Sequence, residues 1–134
     1  MSTEENKAVC ARHYNEVLTG KRLEVIDEIY ASDIGVGDGP KMPRDQFKAI
    51  AKLSITAFPD LVVTIKDQIA ERDRVVTRWT AEGTHLGDFM GRPGDGRKVQ
   101  IRATHIHQVV DGRIATLWEE IDMLGLTKQL GISL

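Results

Sequence analysis

Apolar positions recur along this chain with two different periods, and the change from one to the other falls at Pro59. Before it, Val9, Cys10, His13, Tyr14 and Val17 follow at i, i+1, i+4, i+5 and i+8, which is one face of a helix, and Gly20 ends the run. Ser2 and Thr3 can cap this helix, and Glu4 and Glu5 stand in its first turn, where the helix dipole favours negative charge. A short second helix carries Leu23, Ile26, Ile29 and Tyr30 on one side. Ser32 to Met42 holds Gly35, Gly37, Gly39 and Pro40, which predicts a loop with at most a short strand at Ile34 to Val36. Pro43 opens a third helix with Phe47, Ile50, Ala51, Ser54, Ile55 and Phe58 as its inner stripe, and Pro59-Asp60 stops it.

After that the period is two. Leu61, Val63, Ile65 and Ile69 alternate with Thr64, Lys66 and Gln68. Beyond a turn at Arg72-Asp73-Arg74, Val75, Thr77, Trp79 and Ala81 alternate with Arg78, Thr80 and Glu82. A loop with Gly87, Gly91, Pro93, Gly94 and Gly96 leads to a strand over about Lys98 to Val110, and Asp111-Gly112 turns it into a last strand ending near Asp122. Leu124 to Leu130 makes a short terminal helix. Helices first and antiparallel strands afterwards is an α+β order rather than an alternating βαβ one.

Composition narrows the partners. The chain of 134 residues reads as a single domain over 1–134, long enough to bury a core without metals or disulfides. Hydrophobic residues make up 41% and charged ones 28%, and the net charge of −2 comes with no basic stripe, so no nucleic-acid partner is expected. The single cysteine, Cys10, excludes an internal disulfide, suits a reducing compartment and reads as a buried, inert thiol. The first residues carry no basic and apolar signal pattern, and no apolar run approaches membrane-spanning length, so a soluble cytoplasmic protein without a membrane partner is expected. The glycines of residues 35–39 lack the spacing of a phosphate loop and read as turn chemistry.

Candidate chemistry comes from the last two strands. In the first, Val99, Ile101, Ala103, His105 and His107 form the more apolar row and should face the helices. In the second, the row Ala115, Leu117, Glu119 and Ile121 is apolar except for one carboxylate, which is costly on an inner face unless paired or functional. Parity therefore selects His105 and Glu119 as candidate catalytic residues, with a satisfied structural pair as the competing reading. Trp79, His107, Leu117, Ile121, Ile101 and Phe58 are the candidate walls of a substrate pocket, with His107 nearer its floor. His13 and His85 read as structural, Trp118 and Glu120 point outward, and Asp122 reads as a helix cap. No metal is expected, because His105-Ile106-His107 has only Glu119 near it as a third ligand.

Several segments resemble the SnoaL-like polyketide cyclase family in the right order: Ala57-Phe58-Pro59-Asp60-Leu61, Arg78-Trp79-Thr80, Gly83 to Gly91, Gly96-Arg97-Lys98-Val99, Asp111-Gly112-Arg113-Ile114, Trp118-Glu119 through Asp122, and Gln129-Leu130-Gly131. The resemblance implies the nuclear transport factor 2-like fold, a cone in which N-terminal helices pack on a strongly curved antiparallel sheet around one apolar pocket. It also implies a homodimer joined through the sheet. In characterised members an aspartate on the last strand is the acid/base residue and a histidine on the preceding strand assists; these positions fall on Glu119 and His105. Glutamate thus replaces aspartate, and the loop where such cyclases place further polar pocket residues is here the small Asp33-Ile34-Gly35-Val36-Gly37-Asp38. The implied function is a cyclase-like or isomerase-like enzyme that needs no cofactor and acts on an apolar, carbonyl-activated small molecule. A non-catalytic binding or dimerisation module of the same fold is the alternative. An epoxide hydrolase ranks third, because no inward arginine between two acids is evident.

Overall fold

The computed structural model describes residues 1–132; the last two positions of the expected domain lie outside the described residues. Ser2 caps helix α1 (Thr3–Arg12): its hydroxyl accepts from the Glu5 N–H at 3.0 Å, while the Glu5 carboxylate accepts from the Ser2 N–H at 3.1 Å. This reciprocal box satisfies donors that the first turn otherwise leaves unpaired. The predicted helix does run on to Gly20, but from His13 to Thr19 it widens into a π-helix. Its end is marked by the Gly20 N–H bonding the Asn15 carbonyl at 3.0 Å. His13, Tyr14, Val17 and Leu18 of the wide turn are all buried.

The second helix is a 3₁₀ turn at Leu23–Val25 followed by α2 (Ile26–Ile29), and Tyr30 belongs to the next element instead. That element is strand β1 (Tyr30–Val36), longer than the fragment at Ile34 to Val36, and the glycine-rich stretch also contains β2 (Lys41–Pro43). Gly35 is the reason the composition misleads. A Cβ there would lie 3.0 Å from the Thr116 side chain, so this glycine serves close approach of two strands rather than a turn. Pro43 holds the N-cap position of α3 (Arg44–Ala57), which packs on the sheet chiefly at β1 and β2.

The remaining strands are β3 (Val62–Glu71), β4 (Arg74–Thr84), β5 (Lys98–Val110) and β6 (Arg113–Ile121), followed by α4 (Met123–Gln129). Together they form an open six-stranded sheet in the order β2-β1-β6-β5-β4-β3. The sheet is mixed, not wholly antiparallel, because β1 runs parallel to β6. The β5–β6 hairpin closes through Asp111 (φ 51°) and Gly112 (φ 78°), the left-handed pair that a tight two-residue turn requires.

Two bulges break the period-two pattern. Lys66 is extra between Ile65 and Asp67 in the β3–β4 register, so the faces exchange beyond it. Ile69, expected inward, is 67% exposed, and Gln68 and Ala70 turn to the core side. In β6 the register shifts between Gln108 and Val109, whose partners are Thr116 and Ile114; Ala115 is the bulged residue and the fully buried inward one is Ile114. From Leu117 onward the expected parity holds.

The core lies between the sheet and the helices and includes Tyr14, Val17, Ile26, Tyr30, Ile34, Val75 and Ile114, each essentially sealed from solvent. Cys10 lies among them, and burial pushes its thiol up to about 12, so it is a packed side chain and not a nucleophile. No helix among the described residues is long and apolar enough to cross a membrane.

Candidate active site

Glu119 of β6 stands directly opposite His105 of β5; the two-residue turn alone would set Trp118 there, and the bulge at Ala115 advances the register by one to Glu119. The Nε2 of His105 is 2.5 Å from a carboxylate oxygen of Glu119. His105 is almost wholly buried, whereas the Glu119 side chain keeps 34% of its surface exposed. The carboxylate therefore bridges the interior and the cavity, with one oxygen held and the other without a protein partner among the described residues.

The other ring nitrogen of His105 decides its protonation. The Trp79 indole N–H donates to Nδ1 at 2.9 Å, and the Tyr14 hydroxyl lies 2.7 Å from the same atom. Indole nitrogen can only donate, so Nδ1 must carry a lone pair and no proton. The ring proton is then on Nε2 and donates to Glu119, which is the arrangement of a neutral imidazole supporting a carboxylate. Tyr14 donates too, sharing the lone pair with Trp79. Burial holds the Tyr14 phenol well above its ordinary range, so it stays protonated and able to donate.

The pair faces one cavity of about 200 Å³ under α3 and the π-helical turn. Its walls are apolar: Phe47, Ile50 and Ala51 from α3, Phe58 and Leu61 beyond it, Phe89 from the long loop, and Leu126 from α4. Of the residues expected there, Trp79, Ile101, Leu117, Ile121 and Phe58 line it with Glu119 and His105. His107 does not. It is fully buried beneath the wall, with its ring stacked on His105 at 4.7 Å between centroids, and neither of its nitrogens has a hydrogen-bond partner. Burial, with His105 and His13 adding, keeps that imidazole well below its ordinary range, hence neutral.

His13, expected to be structural, lines the cavity. Its position on a helix gave no sign of this, because a histidine on an apolar helical face looks the same whether it packs or points into a void. Ser54 is the remaining polar side chain in the wall. A larger groove of about 510 Å³ lies along Asp60, Glu82, Lys98 and Gln129, but its polar side chains are exposed and it holds no buried titratable group. The smaller cavity is therefore the chemically equipped one. Among the described residues no set of three His, Cys, Asp or Glu side chains is placed to hold a metal ion.

Outside the cavity, Trp118 donates to Asp38 at 3.3 Å, and the Arg74 guanidinium lies 4.9 Å over its ring on the outer face. Asp122 caps α4, accepting from the Gly125 N–H at 2.9 Å, and also pairs with Arg102. Arg102 and that cap hold the Asp122 carboxyl below its usual range.

The model of the SnoaL-like polyketide cyclase family matches residues 8–130, and the chain belongs to that family. Solved structures agree. AclR, a candidate hydroxylase from Streptomyces galilaeus, superposes with a TM-score of 0.86 at 29% identity, covering 97% of this chain and 83% of that one. IdmH, a candidate polyketide cyclase from Streptomyces antibioticus, does so at 0.79 and 29%, covering 95% and 99%. TsrD from Streptomyces laurentii, at 22% identity and a TM-score of 0.90 over 99% of both chains, shares the fold. No curated protein sequence matches the chain.

Proposed function

We propose that this protein is a cofactor-free acid/base catalyst of the cyclase or isomerase kind, acting on a carbonyl-activated apolar small molecule. The observation that carries this reading is the 2.5 Å contact between Glu119 and a His105 whose tautomer is fixed from behind by Trp79, at the wall of an apolar cavity. Glu119 takes a proton from carbon next to a carbonyl, and the electron pair of that C–H bond delocalises onto the carbonyl oxygen as an enolate. The enolate then attacks a second carbonyl carbon (aldol closure), is reprotonated elsewhere (isomerisation) or expels a β-hydroxyl as water (dehydration). In each case the proton on Glu119 returns to product, so no external reagent is consumed. His105 holds the carboxylate and touches the substrate side of the cavity. Oriented bases of this kind contribute about 10²–10⁴-fold.

The family membership supports chemistry of this class, while the apolar wall supports a substrate with little charge of its own. No arginine lines the cavity among the described residues, which weighs against the epoxide hydrolase reading. We place homodimerisation on the outer sheet face around Arg74, Ile106 and Trp118, and a reducing cytoplasm suits the single buried Cys10.

The test does not need the natural substrate. Cyclohexanone and pentane-2,4-dione in heavy water exchange their α-hydrogens when a base removes them, and NMR follows the loss. The protein should accelerate exchange, and Glu119→Gln should return it to background. Exchange at background in the unmodified protein, or unchanged by Glu119→Gln, sinks the proposal and leaves a binding module.

A further inference from the structure

The cavity has a second polar arm that the Glu119–His105 pair leaves unused. His13 lines it from the π-helical turn, and the His13 Nδ1 lies 2.8 Å from the Tyr30 hydroxyl. Donor accounting gives the direction of that bond. Tyr30 is sealed from solvent and its hydroxyl has no other partner among the described residues. Were it to accept from Nδ1–H, its own proton would be orphaned inside the core, at a cost of about 1–3 kcal/mol. It therefore donates, and the ring proton of His13 resides on Nε2. No described protein group takes that Nε2, and it is not one of the sealed, unpartnered atoms such as those of His107, so it opens onto the cavity. Burial, with His105 adding, brings the His13 imidazole down to about 3, so the ring is neutral under ordinary conditions.

A neutral N–H donor held in place by a buried tyrosine is suited to an oxygen that gains charge during reaction, with no reorganisation needed. It has no positive charge with which to attract a carboxylate, and the Glu119 carboxylate in the same cavity repels one. Size limits the rest: a dry cavity of about 150 Å³ holds benzene, and this one is about 200 Å³. We infer that His13 is the group that binds the substrate's carbonyl oxygen, and that the substrate enters with a neutral, enolisable ketone or ester on a head of about one ring. This rests on the proton-abstraction reading above. In that step Glu119 takes the α-proton, the C–H pair becomes the new C=C bond, and the carbonyl π pair moves to oxygen. There the His13 N–H bonds it and keeps its own proton.

Nitrogen NMR of the histidine-labelled protein, titrated with cyclohexanone, tests the site directly. His13 should be neutral with its proton on Nε2, and cyclohexanone should shift that resonance. Exchange of the ketone should fall ~10²-fold in His13→Leu, while His13→Gln, which keeps an N–H in nearly the same place, should retain most of it. If His13→Leu loses its folded spectrum, Tyr30→Phe takes its place. It keeps the ring but frees the tautomer, so both His13 forms should then be populated and exchange should drop. A proton on Nδ1, a resonance that cyclohexanone does not move, or wild-type exchange in these variants overturns the assignment. Glu119→Gln separates the two readings: His13 must still respond to cyclohexanone there after exchange has vanished. A His13 response without any exchange in the unmodified protein defeats the abstraction reading alone.

Discussion

Nδ1 of His105 receives two donors, and one of them, the Trp79 indole, has no other role open to it. Replacing Trp79 by Phe keeps an aromatic wall but removes that N–H. The expected outcome is a His105 that populates the other tautomer, seen as a new nitrogen resonance pattern, with the hydrogen bond to Glu119 weakened in the same molecules. An unchanged His105 spectrum would mean that Tyr14 alone holds the ring. His107 is the converse case. Its ring is sealed in with both nitrogens unpartnered, an arrangement that costs about 1–3 kcal/mol, whereas an apolar group of similar shape loses nothing. His107→Leu should therefore raise stability by on the order of 1 kcal/mol in urea unfolding. Two histidines one residue apart on one strand face thus do opposite things, and only their partners on other elements distinguish them.

Elements show where periodicity suffices and where it fails. Although the Asp111-Gly112 turn continued in simple register would set Trp118 opposite His105, the shared inward side of His105 and Glu119 was legible from the apolar rows in which they stand. Lys66 and Ala115 were not, since a bulge adds one residue without changing the composition of a strand. The π-helical turn is equally silent: its buried residues keep helical spacing whether the turn is wide or narrow, yet it carries both His13 and Tyr14. Of the four glycines at residues 87–96, all turn-like in the sequence, Gly91 and Gly96 do take the left-handed conformation, whereas Gly87 and Gly94 are close approaches. The Leu86 and Gly87 N–H groups bond the Ala57 carbonyl at 3.0 and 3.2 Å, pinning the loop to the end of α3 and setting Phe89 at the cavity. A Cβ on Gly87 would collide with the Thr56 carbonyl. Gly87→Ala should cost about 1–3 kcal/mol in urea unfolding and weaken cyclohexanone binding by displacing Phe89.

At the scale of the molecule, the interior stores a pH dependence. His13 is held down to about 3 and His107 well below its ordinary 6.5, so both take up protons more readily unfolded than folded. The stability they supply is complete above pH 6.5, the value for the exposed ring, and is lost as pH falls toward the folded values. His13 alone should remove about 2 kcal/mol between pH 6.5 and about pH 5. The carboxylates whose pairing lowers them, Glu16, Asp27, Asp60 and Asp122, start from ordinary values of 3.8–4.5 and so act below that window. Urea midpoints should decline through it, and a flat profile would mean that these rings find water or partners in solution. The α+β class and the helix-then-strand order were readable because each segment keeps one period for a long stretch. The parallel contact was not, because nothing local to Tyr30–Val36 names a strand some eighty residues away as its neighbour.

That contact has a consequence for how the chain is made. β6 lies between β1 and β5, so the ribosome releases both of its neighbours before the strand that joins them exists. Until residues 113–121 emerge, β1 with its short hairpin partner is tethered to the rest only through helices, and the inner edge of β5 has no companion. Such late, distant pairings slow folding and leave unpaired edges open to other chains. A nascent chain stopped before Arg113 should therefore be protease-sensitive and prone to aggregate, and the cavity would come into being only once β6 is made, with the arrival of Glu119.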